Sequence, residues 1–312
     1  MQYGKIVSTG FSQAWKYKTL WIFGFFISGG GAGYLGDIGD KIKVDAPINL
    51  NLPWLQRALV DNIGLVLLAA VLILLAIVIW IILSTISSGG LIHAAGQIKR
   101  GEPYSFVAAF KTGAACFWQL LGILVLTVIV SAAFVIMLIL SGVIAFTIHM
   151  ALGVLSLLVL VPALIVGMFV IVITMAMAQR YIVLHRRPVF DGIVEGFALW
   201  RSTLAPSIVY TVIYIAISIA VFLGTLLVTL YVVIPFAAVA FLNLLAALVV
   251  GIPVVLLVLL VVDGFTGSAM HLMTTEFFFQ LLDERASTAT SAPAVDGDAI
   301  PPLSPPPVSD QP

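Results

Sequence analysis

Between Phe117 and Ala178 the chain contains no Asp, Glu, Lys or Arg, and its only histidine there is His149. A helix rises about 1.5 Å per residue, so about 20 apolar residues cross the roughly 30 Å hydrocarbon layer of a bilayer. The stretch is too long for one such helix. It suits two joined by a tight turn, which the glycines and serines near Ser141, Gly142 and Gly153 place. A soluble core could not hide this much apolar surface, whereas a bilayer is itself the apolar partner, and helices satisfy their own backbone within it. The composition agrees: 62% of residues are hydrophobic and 9% charged, against roughly 45–50% and about 25% in a soluble domain.

Charged residues punctuate the remaining spans. The run from Ile63 to Ile86 lies between Asp61 and His93 and is one span; Ser207 to Val262 divides into two more. Their hairpin is expected at Pro235 or in the segment Ala237 to Asn243, because proline removes a helix donor. A first span lies between Lys18 and Asp37, diluted by Gly29, Gly30, Gly31 and Gly33. That segment also has the layout of a secretory signal peptide, with Lys5, Lys16 and Lys18 ahead of the apolar stretch Leu20 to Ile27. The basic part is long for a signal peptide and itself reads as an amphipathic helix, which favours a retained span. The fold class expected is all-α: a polytopic integral membrane bundle of six transmembrane helices.

Short cytoplasmic segments carry an excess of Lys and Arg. Lys5, Lys16 and Lys18, then Lys99, Arg100 and Lys111 after the second span, then Arg180, Arg186, Arg187 and Arg201 after the fourth, fall on one side. The other side has only Lys41, Lys43 and Arg57, offset by Asp37, Asp40, Asp45 and Asp61, so the count is ten against three. Both termini are therefore expected in the cytoplasm, with the protein in the plasma (inner) membrane.

A segment of similar design precedes each hairpin, with apolar residues at helical spacing and an aromatic at its end. The first has Val7, Phe11 and Ala14 with Trp15 and Lys16; the second Val107, Phe110 and Ala114 with Phe117 and Trp118; the third Val189, Ile193 and Phe197 with Trp200 and Arg201. Pro103 and Pro188 stand just before the second and third, where proline initiates helices. The pattern predicts three repeats of an interfacial amphipathic helix plus a transmembrane hairpin, over residues near 3–86, 103–178 and 188–262. Such helices would set their basic residues at the lipid head groups, and Lys16, Lys18, Arg186, Arg187 and Arg201 are the candidate head-group contacts.

Residues 264–285 are helix-compatible and are expected to extend the last span or pack below the bundle, completing a membrane domain over 1–285. From Ala286 the composition turns to Ala, Ser, Thr, Pro and Asp, which predicts a disordered cytoplasmic tail over 286–312.

Function classes fall away one by one. Lys plus Arg equals Asp plus Glu at 14 each, so no basic field recruits nucleic acid. Gly31 to Gly36 spells GxGxxG, but that fingerprint needs a preceding strand and a following helix; close helix packing explains these glycines better, as it does Ser87 to Gly90. Asp37, Asp40 and Asp45 lack the spacing of a calcium loop. His93, His149, His185 and His271 form no ligand pair, and Cys116 is the single cysteine. No cofactor or metal is expected. His149 reads as a polar ring at the membrane surface. The span middles hold no Asp, Glu, Lys or Arg, which weakens ion-coupled transport. Pro162, Pro206 and Pro253 are either breaks around a neutral substrate or tolerated kinks.

Phe11, Ala14, Trp15, Lys16, Leu20 and Trp21, with Ser88 to Ile92 after the second span and Arg180 to Leu184 after the fourth, carry a resemblance. Over about the first 285 residues the chain resembles uncharacterised prokaryotic multipass proteins related to the membrane domain of glycerophosphodiester phosphodiesterases. The resemblance implies a six-span membrane module; the phosphodiesterase domain is not in this chain, so no catalytic residue carries over. The function expected is a non-enzymatic scaffold or accessory module, with membrane lipids and a membrane protein as partners, and a permease or lipid-handling transporter with a neutral cavity as the alternative.

Overall fold

The computed structural model describes residues 1–28, 63–242 and 244–291. Among these the chain is helical throughout: α1 (Tyr3–Lys16), α2 (Leu20–Ile27), α3 (Ile63–Lys99), α4 (Phe106–Ala115), α5 (Phe117–Ile148), α6 (Met150–His185), α7 (Val189–Ser202), α8 (Leu204–Leu242) and α9 (Leu244–Ser291). Five of them, α3, α5, α6, α8 and α9, are long and apolar enough to cross a membrane. This is the build of a multipass helical membrane protein. The expected first span begins as α2; the rest of it, with the Gly31 to Gly36 motif, Asp37, Asp40 and Asp45, lies outside the described residues.

Two turns refine the expectations. The break between α5 and α6 falls on His149 alone, whose backbone is extended (φ −164°, ψ 134°) and whose Nδ1 accepts from the Ala151 amide at 3.1 Å. The exposed ring therefore caps a helix. Gly142 and Gly153 lie within the helices instead, and a Cβ on Gly153 would fall on the Phe146 ring. Pro235 does not end its helix: α8 runs on to Leu242, and the break comes at the far end of the Ala237 to Asn243 alternative. One missing donor leaves the neighbouring hydrogen bonds intact, and in lipid the backbone has nowhere better to bond. Pro162 and Pro253 likewise sit inside α6 and α9. Pro206 lies in the first turn of α8, where its N–H would lack a helical acceptor anyway.

Three of the long helices, α3, α6 and α9, overshoot the length of a single crossing. α3, α6 and α9 have 37, 36 and 48 residues, or about 55, 54 and 72 Å, against roughly 30 Å of hydrocarbon. Their C-terminal turns pack with α1, α4 and α7 into a base that holds most of the buried residues, among them Ile6, Leu20, Leu91, Ile182, Leu199, Phe277 and Phe278. α9 passes Asp263 without a break and continues six residues beyond Arg285 before the described chain ends. Above the base the spans are exposed along most of their length, with only 0–18% of residues buried in the most apolar window of each.

Each short helix is seated on a long one through a glycine. A Cβ on Gly10 of α1 would stand 2.9 Å from both the Ala269 carbonyl oxygen and the Met273 nitrogen of α9. On Gly196 of α7 it would meet the Thr174 oxygen and the Ala178 nitrogen of α6, again at 2.9 Å. On Gly113 of α4 it would meet the Gly90 nitrogen at 2.9 Å and, closer still, the Ile86 oxygen of α3. In every case the partners are a carbonyl and the amide four residues on. The glycines bring backbone against backbone, and α7 runs antiparallel along α6, since Gly192 meets Ile182 and Ala178 one turn below Gly196. The close packing expected for Gly89 and Gly90 is present, against Gly113, Ala109 and Phe23. A further crossing joins α2 to α9, where Gly24 lies against Gly264 and the Ser268 hydroxyl donates to the Leu20 carbonyl at 2.7 Å.

Candidate functional site

The sequence singles out five basic residues, and all five stand at the base. Lys16 ends α1 and Lys18 follows in the turn, both exposed, with the Lys16 ammonium 5.5 Å from the Tyr17 ring centre. Arg186 caps α6 in the left-handed region (φ 51°) and is exposed. Arg187 precedes Pro188 and pairs with Glu195 of α7 at 3.2 Å, and Arg201 closes α7 on its exposed side. Some large apolar residues of the short helices also face outward: Trp15, Val107 and Phe190 are 64–76% exposed, as is Trp118 at the start of α5 at 79%. The stripe that packs inward is mostly small residues, Gly10 and Ala14, Ala109 and Gly113, Gly192 and Gly196, joined by Ile6 on α1 and Leu199 on α7.

Arg180 departs from its expected place. The charge pattern places it in the loop after the fourth span, yet it lies within α6, five residues before the helix ends, and is 2% exposed. The helix continues because Tyr181, Ile182 and Val183 are themselves buried and give α6 a reason to extend past the charge. Two acidic residues of α9 are buried as well. Glu276 receives the Lys99 ammonium of α3 at 2.8 Å, which pins two helices together at the base, while Asp263 lies near the α2 crossing, its backbone carbonyl accepting from Ser28 Oγ at 2.9 Å.

Around Arg180 opens a cleft of about 810 Å³ between α6, α8 and α9, inside the roughly 300–1,000 Å³ range of small-molecule sites. Its walls are aliphatic and aromatic, with Phe169 and Val172 from α6 and Ile208 and Val212 from α8. Its polar lining comprises Gln179, Arg180, Tyr210, Thr211, Tyr214, His271, Thr274 and the Trp200 of α7. Tyr210 is fixed by stacking on Phe277 (3.8 Å between centres, 5° between planes) and by donating to Thr274 Oγ1 at 2.9 Å. Arg180 Nη1 donates to the Ala176 carbonyl one turn back, whereas among the described residues Arg180 Nε, His271 Nδ1 and Trp200 Nε1 have no hydrogen-bond partner. The sequence carries a weak sign of this site. Arg180 sits between Ala176–Gln179 and Tyr181–Leu184 without a helix breaker on either side.

Among the described residues no group of three His, Cys, Asp or Glu side chains could hold a metal ion. Cys116 is buried between α4 and α5, and burial pushes its thiol above the ordinary range, which disfavours the nucleophilic thiolate. No protein-family model, curated protein or solved structure matches the chain.

Proposed function

We propose that the chain is a non-enzymatic scaffold or accessory module of the plasma (inner) membrane, with six spans, both termini cytoplasmic, and three copies of one unit. The units are α1 to α3, α4 to α6 and α7 to α9, each a short boundary helix followed by a hairpin. The observation that carries this reading is the shared register of the three glycine seats. Each short helix lies on the last helix of the unit before it, and α1 lies on α9, so the series closes on itself. A closed series leaves no short helix and no overshooting span without a partner, which suits a base that must hold its hairpins in fixed positions.

On this reading the outward Trp15, Trp118 and Phe190 belong in the membrane boundary, and Lys16, Lys18, Arg186, Arg187 and Arg201 belong at the head groups, each attracting anionic lipid by about 1 kcal/mol. Arg187 contributes least, because Glu195 already answers its charge. Replacing the five by Gln should lower the anionic lipid that co-purifies with the protein, measured by phospholipid analysis of the detergent-extracted chain. Unchanged lipid would refute the head-group role. The lipid-handling alternative draws on a different observation, the cleft at Arg180, which is charged and not neutral.

A further inference from the structure

We infer that the cleft between α6, α8 and α9 binds an anionic amphiphile, a molecule with one phosphate or carboxylate head and a hydrocarbon tail, which enters sideways from the bilayer and sets its acidic group at Arg180. The site is independent of the five basal cations and goes beyond the scaffold reading.

The guanidinium is the first reason. Among the described residues no carboxylate pairs with Arg180, its Nε has no acceptor, and the residue is 2% exposed. An unpaired buried cation is costly, and in a membrane protein such a group is a functional site by default. A structural arginine at this depth would snorkel toward the head groups. Arg180 turns the opposite way: its Nη1 bonds the Ala176 carbonyl, toward the N-terminus of α6 and away from the base.

The second reason is that the fold does not need a cation here. In the glycine-seat register, Arg180 stands two residues past Ala178. The corresponding residues past Gly90 and Met273 are Ile92 and Thr275, both fully or almost fully buried and both neutral. Two of the three positions are thus filled without charge. The arginine marks the one position beside a cleft.

The shape of the cleft selects the ligand. Val166, Val172, Ile208 and Val212 line it and are also exposed on the span surface, so its mouth faces the lipid tails. A free inorganic anion would have to cross that apolar mouth, while an amphiphile already resides on the other side of it. Its tail would lie along those residues, and its head would meet Arg180 Nε and the unpartnered ring nitrogen of His271. Charge-assisted hydrogen bonds to an acidic group are the strong kind.

The test uses the full chain in neutral detergent, followed by thermal unfolding and native mass spectrometry. The acidic probes are dioleoylphosphatidylglycerol and oleate; dioleoylglycerol and oleyl alcohol are their neutral counterparts, and inorganic phosphate is the head alone. At least one acidic probe should raise the unfolding midpoint and be retained as a single bound molecule, and the one that does so identifies the head as phosphate or carboxylate. Arg180→Ile, which copies Ile92, should raise the half-saturating concentration at least about tenfold, as expected for loss of a charge-assisted hydrogen bond. Thr211→Trp should block the cleft with Arg180 still in place and abolish the response. Should Arg180→Ile fail to fold, the probe series and Thr211→Trp still decide. Equal stabilisation by the neutral counterparts, an equal response to phosphate alone, or an unchanged response in Thr211→Trp would each overturn the inference.

Discussion

Alanine substitution at the three glycine seats separates two effects of opposite sign. In a helix interior alanine is favoured over glycine by about 1 kcal/mol. At Gly224 of α8 a Cβ would meet nothing within 4 Å, so Gly224→Ala should show that gain undiluted. At Gly10 and Gly196 the new Cβ would stand 2.9 Å from a carbonyl oxygen and an amide nitrogen of the neighbouring helix, and at Gly113 it would stand closer still to the Ile86 oxygen. These obstacles are backbone, which no rotamer change can move. Forcing the helices apart costs about 1–3 kcal/mol. Each seat variant should therefore fall below Gly224→Ala by about 1–3 kcal/mol, with Gly113→Ala the most damaged. The midpoint of thermal unfolding in detergent, read by tryptophan fluorescence and by the monodisperse fraction left after heating, measures the difference. If Gly113→Ala gains stability as Gly224→Ala does, the backbone contacts that define the seats are not formed.

A cysteine placed in the 37–61 segment, in a Cys116-substituted background, should react with an impermeant thiol reagent added to intact cells; labelling of a cysteine in the 99–111 segment instead would invert the proposed orientation. Lys99→Met should lower the unfolding midpoint by the equivalent of about 1–3 kcal/mol, because the Glu276 carboxylate, 8% exposed, loses its ion pair; a loss no greater than that of the exposed control Lys111→Met would show that the Lys99–Glu276 pair does not hold α3 to α9.

How much of this was legible depended on which solvent each residue faces. Apolar runs such as Phe117 to Ala178 declare spans because hydrocarbon imposes a simple rule on every residue it touches. His149 could be placed at the turn between two spans, although its capping of Ala151 depended on a one-residue turn that periodicity does not encode. Pro235 misled because a proline is a breaker in water and only a lost donor in a bilayer. The base was harder to read. Charge ceases to be punctuation where protein replaces water, so Arg180 falls inside a helix that a charge count would have ended. The apolar stripes of the short helices were visible, and Ala14, Val189 and Ile193 from them do pack, but the closest approach is made by Gly10, Gly113 and Gly196. Small residues carry almost no hydropathy signal.

The uneven packing follows from the same physics. Spans in lipid gain nothing by hiding apolar surface from tails that are equally apolar, so they associate through fit. Here that fit lies within hairpins: Gly153 beneath Phe146 and Gly167 beneath Phe134 join α5 to α6, and Gly251 meets Phe236 at 3.1 Å between α9 and α8. The hydrophobic effect returns only where lipid ends, and there α1, α4 and α7 fasten the overshooting helices to one another. The hairpins are thus paired units that share one base, and α6 and α8, which belong to different hairpins, part above it. Arg180 lies about 9 Å along α6 from Arg186, at the level where the packed base gives way to that parting. Among the described residues no carboxylate pairs with a cation there, which is why an acidic amphiphile from the membrane is the partner we infer.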